Sequence, residues 1–229
     1  MNNRVPLAVS VFAVMCAAIL SVWAWLVVDG STVPAGIGSD LEPVSKFQGL
    51  IIGPLLFMGL PIALFLLIPR IEPRRGHLWS SAKAYGAIWI AVVLGGLVAH
   101  TAFVLRATDR TLDLSENIFE LVFPFLLVVT GNYLSKLRSN FFVGIRTPWT
   151  LSSDLAWRKT HRVGGRVLIL LGLALIPLAF YLDSATNLWV TGAAVVGTAL
   201  VLVVYSYFAW RRDPASRSSQ RTTGTRHQS

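Results

Sequence analysis

The stretch Trp189-Val190-Thr191-Gly192-Ala193-Ala194-Val195-Val196-Gly197-Thr198-Ala199-Leu200-Val201-Leu202-Val203-Val204-Tyr205-Ser206-Tyr207-Phe208-Ala209-Trp210 runs for 22 residues without a charged side chain and meets Arg211-Arg212 at its end. A helix crosses the hydrocarbon of a bilayer with roughly 17 to 25 mainly apolar residues, so this segment reads as a span held by aromatic and basic anchors. Five more runs of the same kind precede it, at 5–28, 47–69, 84–105, 118–135 and 167–182. The run at 167–182 is the shortest, with Pro177 and Asp183 marking its far boundary. The first follows Arg4 as a signal peptide would, but its apolar run is too long and no A-x-A site ends it, so it reads as a retained helix.

Composition agrees with a bilayer as the solvent. Of the 229 residues 54% are apolar and 14% charged, where a soluble domain carries about 25% charged residues. An apolar excess of this size must cover surface as well as interior, which excludes a water-soluble globule. The single cysteine, Cys16, lies inside an apolar run. It forms no intramolecular disulfide, and no Cys/His spacing suits a structural zinc. The sequence calls for no cofactor or metal.

The net charge of +9 sorts by side. With the N-terminus placed in the cytoplasm, 17 of the 20 Lys and Arg fall in the inner segments, leaving Lys46, Arg106 and Arg110 outside, whereas eight of the eleven acids fall outside. The inner segments sum to +14 and the outer ones to −5. Such a bias in short loops predicts six transmembrane helices with both termini cytoplasmic, in an all-α polytopic protein. It assigns the basic excess to orientation, so no direct nucleic-acid partner is expected. Trp23, Trp25, Trp79, Trp189 and Trp210 stand at span ends, where amphipathic rings prefer to lie, and Trp89 alone lies well within a span.

The second run carries Gly49, Gly53, Pro54, Gly59 and Pro61 and is expected to kink. Its Gly49-x-x-x-Gly53 step reads as a close helix contact, with a substrate-binding break as the alternative. The outer loop Asp29 to Lys46 is acidic, rich in Gly and Pro, and reads as flexible. Residues 211–229 hold five arginines among Ser, Thr, Gly and Pro, the composition of a disordered cytoplasmic tail.

No ionisable residue lies at mid-depth in any of the six runs, which disfavours pumps and ion-coupled carriers. His100 and Glu120 lie near outer helix ends. Separate solvation of the two is the expectation; a pH-sensitive pair between them is the alternative. The outer loops offer no Ser/His/Asp set, paired histidines or glycine-rich phosphate loop.

One segment exceeds what a connection requires. Residues 136–166 join two spans that a handful of residues would join, and their core reads Asn140-Phe141-Phe142-Val143-Gly144-Ile145-Arg146-Thr147-Pro148-Trp149-Thr150-Leu151-Ser152-Ser153-Asp154-Leu155-Ala156-Trp157-Arg158-Lys159-Thr160-His161-Arg162. Gly144 and Pro148 favour an extended turn from Gly144 to Trp149. Ser152 is positioned as the N-cap of a short amphipathic inner-face helix from Ser153 to about Val163, with Asp154 in its first turn. Helical spacing lets Asp154 pair with Arg158 and Trp157 stack near His161, while Arg158, Arg162 and Arg166 form a basic stripe. Three readings follow: an interfacial helix that stiffens the bundle and binds anionic inner-leaflet lipid; a docking surface; and a lipid-headgroup-handling enzyme or carrier. In the last, His161 is acid or base oriented by Asp154, with Arg146, Arg158 and Lys159 on the headgroup.

The run Gly131-Asn132-Tyr133, Asn140, Gly144-Ile145-Arg146-Thr147-Pro148-Trp149-Thr150-Leu151-Ser152, Trp157-Arg158-Lys159-Thr160-His161 and Gly164-Gly165 closely resembles the signature of the SdpI family, bacterial multispanning membrane proteins named for immunity to a secreted sporulation-delay toxin. The resemblance covers about 118–210. It divides the chain into a three-helix region at 1–117, an SdpI-like region at 118–210 and a basic tail at 211–229. The first outer loop lacks the His and Asn that such proteins often carry there, and Leu155 stands where relatives often carry an acid. The resemblance implies a bacterial inner-membrane protein that acts without catalysis. It further implies protection against a membrane-active peptide toxin and signalling through capture of a cytoplasmic repressor. The residues it marks as a functional surface are Asn132, Asn140, Gly144, Arg146, Thr147, Pro148, Trp149, Thr150, Ser152, Asp154, Trp157, Arg158, Lys159, Thr160 and His161.

Overall fold

The computed structural model describes residues 3–37, 40–109 and 115–214. Most of the expected tail, 215–229, lies outside the described residues. The elements in order are α1 (Arg4–Val27), β1 (Thr32–Ile37), β2 (Asp40–Ser45), α2 (Gln48–Ile71), α3 (Arg75–Ser80), α4 (Ala82–Ala107), α5 (Ser115–Leu134), α6 (Pro148–Ser152), α7 (Asp154–Tyr181) and α8 (Ser184–Arg211). Five helices, α1, α2, α4, α7 and α8, are long and apolar enough to cross a membrane. The apolar part of α5, Glu120–Leu134, is shorter than that. The expected sixth span is therefore a helix whose length alone does not identify it as one. The chain is a helical, polytopic membrane protein.

Packing follows chain order. α1 lies against α4, α4 against α5, α5 against α7 and α7 against α8, with α2 on the flank of α4. Apolar side chains such as Leu26, Phe57, Leu170, Leu200 and Val201 point outward and are exposed, an arrangement only lipid accommodates. Trp89, the indole set deep in a span, is fully buried and donates from Nε1 to Ser10 Oγ at 3.0 Å, so its polar edge is met inside the bundle. Phe65 stacks on it at 5.6 Å.

α2 bends as its prolines and glycines foretell. Gln48–Ile52 and Leu55–Gly59 are π-helical, on either side of Gly53 and Pro54, and Leu60–Ile71 continues as α-helix. Only half of the small-residue step is a contact. A Cβ at Gly49 would lie 2.7 Å from Val33 and 2.8 Å from Phe103, whereas one at Gly53 would meet nothing but a neighbouring carbonyl.

In the loop expected to be flexible, the described residues Thr32–Ile37 and Asp40–Ser45 form two strands, the one departure from helix among the described residues. β1 and β2 pair antiparallel with Thr32 opposite Ser45. Lys46 closes the pair: its backbone N–H bonds the Ser31 carbonyl at 2.9 Å, and Nζ caps α1 by donating to the Trp25 and Val28 carbonyls.

His100 and Glu120 are neither paired nor separately solvated. His100 is buried, and its Nε2 lies 2.9 Å from Ser21 Oγ, which also donates to the Leu50 carbonyl at 2.7 Å. The chain of bonds ties α4, α1 and α2. Glu120 accepts from Asn187 Nδ2 at 2.5 Å and so links α5 to α8.

Candidate functional site

Residues 136–166 are rich in side-chain hydrogen bonds and lie at the end of the bundle where the cations cluster, although the buried Thr160 Oγ1 among them has no hydrogen-bond partner. α7 begins inside this segment. The short helix expected at 153–163 is not a separate element: α7 runs unbroken through 28 residues from Asp154 to Tyr181. At 1.5 Å per residue it is about 42 Å long against a hydrocarbon core of about 30 Å, so its first turns stand clear of the hydrocarbon. The basic amphipathic stretch is this projecting end, on which Arg158, Arg162 and Arg166 are exposed. Its cap is Ser153, whose Oγ accepts from Ala156 N at 3.0 Å, and not Ser152, which ends the preceding turn.

That preceding turn is α6. Thr147 is extended, as a residue before proline must be, and Pro148 takes the first helical position, where its missing N–H costs nothing. Thr147 Oγ1 accepts from Thr150 N at 3.1 Å while Thr150 Oγ1 accepts from Thr147 N at 2.9 Å, a reciprocal box built from two threonines. Pro148 and Trp149 are thus helical, and the extended turn expected through Trp149 stops at Thr147.

The 135–146 stretch has almost no regular structure, so its backbone groups need other partners. Asn140, with no exposed surface, supplies four: its Nδ2 donates to the Arg138 and Val143 carbonyls, and its Oδ1 accepts from Phe142 N and Val143 N at 3.1 and 2.7 Å. Glu72, buried in the α2–α3 connection, accepts from Phe141 N with both oxygens, at 3.1 and 2.9 Å, and from Arg74 N at 3.0 Å. Arg74 donates to Ser139 Oγ at 2.6 Å and to the Leu151 carbonyl at 3.3 Å; His77 Nδ1 donates to the Ser139 carbonyl at 2.8 Å. Ser81 Oγ accepts from Arg138 N.

His161 is the hub. It is buried and stacks on Trp157 with ring centroids 3.9 Å apart, as the spacing predicts. Nδ1 lies 2.9 Å from the Trp157 carbonyl and must carry the proton, because a carbonyl only accepts; Nε2 accepts from Ile145 N at 3.1 Å. Both ring nitrogens are therefore spent on backbone, and Asp154 is not a partner of the ring. Nor does Asp154 pair with Arg158: among the described residues no ion pair joins them. The arrangement needed for acid–base work, a ring nitrogen open to a reacting proton and a carboxylate orienting the other, is absent here.

Two further bonds fasten the segment to α8. Thr147 Oγ1 lies 3.0 Å from Ser206 Oγ, and Ser153 Oγ donates to Asp213 Oδ2 at 2.5 Å. Trp149 packs edge-on against Tyr207 at 5.3 Å. The signature residues divide accordingly. Asn140, Thr147, Thr150, Trp157 and His161 are buried and hold the segment's shape, and Thr160 is buried with no partner for its hydroxyl among the described residues; Asn132, Gly144, Arg146, Pro148, Ser152, Asp154, Arg158 and Lys159 are exposed, with Trp149 between. Arg146 is oriented by a bond from its guanidinium to the Phe141 carbonyl at 3.0 Å.

Sequence reasoning did not single out Glu72, Arg74, His77, Ser139, Ser206 or Asp213. For two of them a signal existed: Glu72 and Asp213 are acids in loops otherwise filled with cations.

Comparison with known proteins converges on the same residues. The family model for the SdpI/YfhL protein family matches residues 136–207. The chain is 30% identical over 78 residues to the immunity protein SdpI of Bacillus subtilis (strain 168). That match covers 34% of this chain and 33% of the relative, so the chain spans about a third of the curated protein it matches. No solved structure matches the chain. Through the bonded segment, α6, α7 and most of α8, the chain is similar to the SdpI/YfhL protein family.

Proposed function

We propose that this chain is a non-enzymatic protein of the bacterial cell membrane that confers immunity to a secreted, membrane-active peptide, with both termini in the cytoplasm and six membrane-crossing helices. In this reading α5 is the fourth crossing. It is sandwiched between α4 and α7, so its limited apolar length is compensated by protein neighbours rather than lipid. The charge bias of 17 cations to 3 supports the orientation, with the 136–166 segment facing the cytoplasm.

The observation that carries the non-catalytic reading is His161, whose two nitrogens hold the Trp157 carbonyl and the Ile145 N–H. A segment bonded both within itself and to the loops and helix around it is a preformed surface. Its exposed Arg146 and Arg158, with half-exposed Trp149, suit capture of an acidic face on a cytoplasmic repressor, which is the signalling half of the proposal. The name of the Bacillus subtilis relative supports the immunity half.

Expression in a sensitive bacterium, followed by challenge with a panel of membrane-active peptides, tests the reading. Survival against at least one peptide, lost on Arg146→Ala or Trp149→Ala in a protein still present in the membrane, is the expected result. Unchanged killing across the panel overturns immunity. Reporters fused after Asp183 and after Arg212 are expected on opposite sides of the membrane; the same side for both overturns the six-helix arrangement.

A further inference from the structure

Between the cationic ends of α7 and α8 lies a cleft of about 210 Å³. Lys159 and Arg162 from α7 and Arg212 from the end of α8 supply its charge, and Val163, Tyr205 and Phe208 its walls. The three cations are exposed and make no hydrogen bond or ion pair among the described residues. The chain beyond Arg212 contains one acid, Asp213, which is buried and takes the Ser153 hydroxyl. Three like charges thus share one recess whose lining holds no acid, which favours an anion there.

Helical register gives that anion an apolar extension. On α8, Val201, Val204, Tyr205, Phe208 and Arg212 recur at three- and four-residue spacing and lie on one face, with Val201, Val204 and Phe208 exposed. On the antiparallel α7, Lys159, Arg162, Arg166, Leu170 and Leu173 do the same, with Leu170 67% exposed. Each stripe is cationic at the end of the bundle and apolar toward its middle. A free phosphate would use the first half and leave the second unexplained, whereas one molecule with a phosphate head and acyl chains matches both.

We propose that this cleft is a binding site for one anionic phospholipid, its phosphate held by Lys159, Arg162 and Arg212, its interfacial region against Tyr205 and Phe208, and its acyl chains along Leu170, Val201 and Val204. The site rests on α7 and α8 being spanning helices and stands whether or not the chain confers immunity. Such a lipid joins the projecting end of α7 to the end of α8, the two parts that also hold the signature segment.

The full chain in neutral detergent, incubated with equal phosphatidylglycerol and phosphatidylcholine and observed by native mass spectrometry, is expected to retain a single phosphatidylglycerol. A basic group near an anionic lipid is worth roughly fivefold in affinity, so the triple variant Lys159→Gln/Arg162→Gln/Arg212→Gln is expected to lose about a hundredfold. The single variant Arg162→Glu, read only from protein with unchanged size-exclusion elution, is expected to lose retention on its own. Lys83→Gln/Arg138→Gln, which removes charge from the same end but not from the cleft, is expected to retain the lipid. Equal retention of the two lipids, or retention by the triple variant, overturns the proposal. Displacement by inorganic phosphate at equal concentration overturns the lipid in favour of a free anion.

Discussion

The space that a side chain at Gly144 would need is filled by the imidazole of His161: a Cβ built on Gly144 falls 2.3 Å from His161 Nε2. Gly144 also has φ +115°, a backbone conformation that L-residues rarely adopt. One glycine therefore meets two demands at once, the turn that brings Ile145 N–H onto the ring and the clearance for the ring itself.

Gly144→Ala is accordingly expected to abolish folding or lower the melting temperature sharply, since backbone strain alone costs about 1 to 3 kcal/mol before the overlap is counted. The two effects separate in a double variant. Gly144→Ala/His161→Ala removes the overlap and keeps the strained φ, so it should be less destabilised than the sum of the single changes. Additive losses in thermal unfolding of purified protein would show that the close approach carries no energy.

The tautomer of His161 is dictated by its partners, with the proton on Nδ1 and a lone pair on Nε2. Nitrogen-15 NMR of histidine-labelled protein is expected to show an unprotonated Nε2 resonance for this residue, assigned by its loss in His161→Gln. A protonated Nε2 would mean that the Ile145 bond does not form and would return the ring to the pool of acid–base candidates.

Glu72 is expected to matter more to the signature segment than most residues within it. It lies 69 positions from Phe141 yet accepts that residue's N–H with both oxygens. Glu72→Ala leaves the N–H groups of Phe141 and Arg74 without their acceptor, at about 1 to 3 kcal/mol for each such buried donor. Glu72→Gln, which keeps one acceptor oxygen, should fall between. Limited proteolysis at Lys136 and Arg138 is the readout: faster cleavage in the order Ala, Gln, wild type is expected, and equal rates would remove Glu72 from the framework.

How much of this was legible in the sequence follows from which interactions are local. Five of the six expected spans were legible as helices long and apolar enough to cross, because a bilayer imposes a length and a polarity that composition displays directly. The Trp157–His161 stack was legible because four-residue spacing on a helix fixes it. The N-cap was misplaced by one residue because Ser152 and Ser153 are equivalent in type, and the choice between them is made by the α6 turn that Thr147 and Thr150 close. Pairing of Asp154 with Arg158 was expected from the same spacing but does not occur on the projecting, solvated end of α7, where such a pair is worth little. The Glu72 and Asp213 contacts were out of reach, being set by which loops the bundle brings together. Their identity as acids in cationic loops was the available clue. A positive-inside bias accounts for lysines and arginines and leaves an inner acid needing a partner.

A close backbone approach between α5 and α7 supplies a last prediction. A Cβ at Gly131 on α5 would lie 2.6 Å from the Gly165 carbonyl oxygen, and one at Gly165 on α7 would lie 2.6 Å from the Gly131 carbonyl oxygen. Two turns further along α7, Gly172 stands equally close to the Pro124 carbonyl. Small residues that let backbones touch are a main source of helix association where no hydrophobic force acts between helices in lipid. Backbone atoms cannot step aside as a side chain can, so Gly165→Ala must push α5 and α7 apart along the seam. Gly197 on α8, where a Cβ would meet nothing within 4 Å, provides the matched control, and Gly197→Ala should be neutral or stabilising because alanine favours a helix by about 1 kcal/mol. Thermal aggregation in detergent is expected to fall in the order Gly165→Ala below wild type, with Gly197→Ala at or above it. Equal midpoints for the two variants would mean that the α5–α7 seam yields without cost, and the rigid placement of α5 between its neighbours would no longer stand.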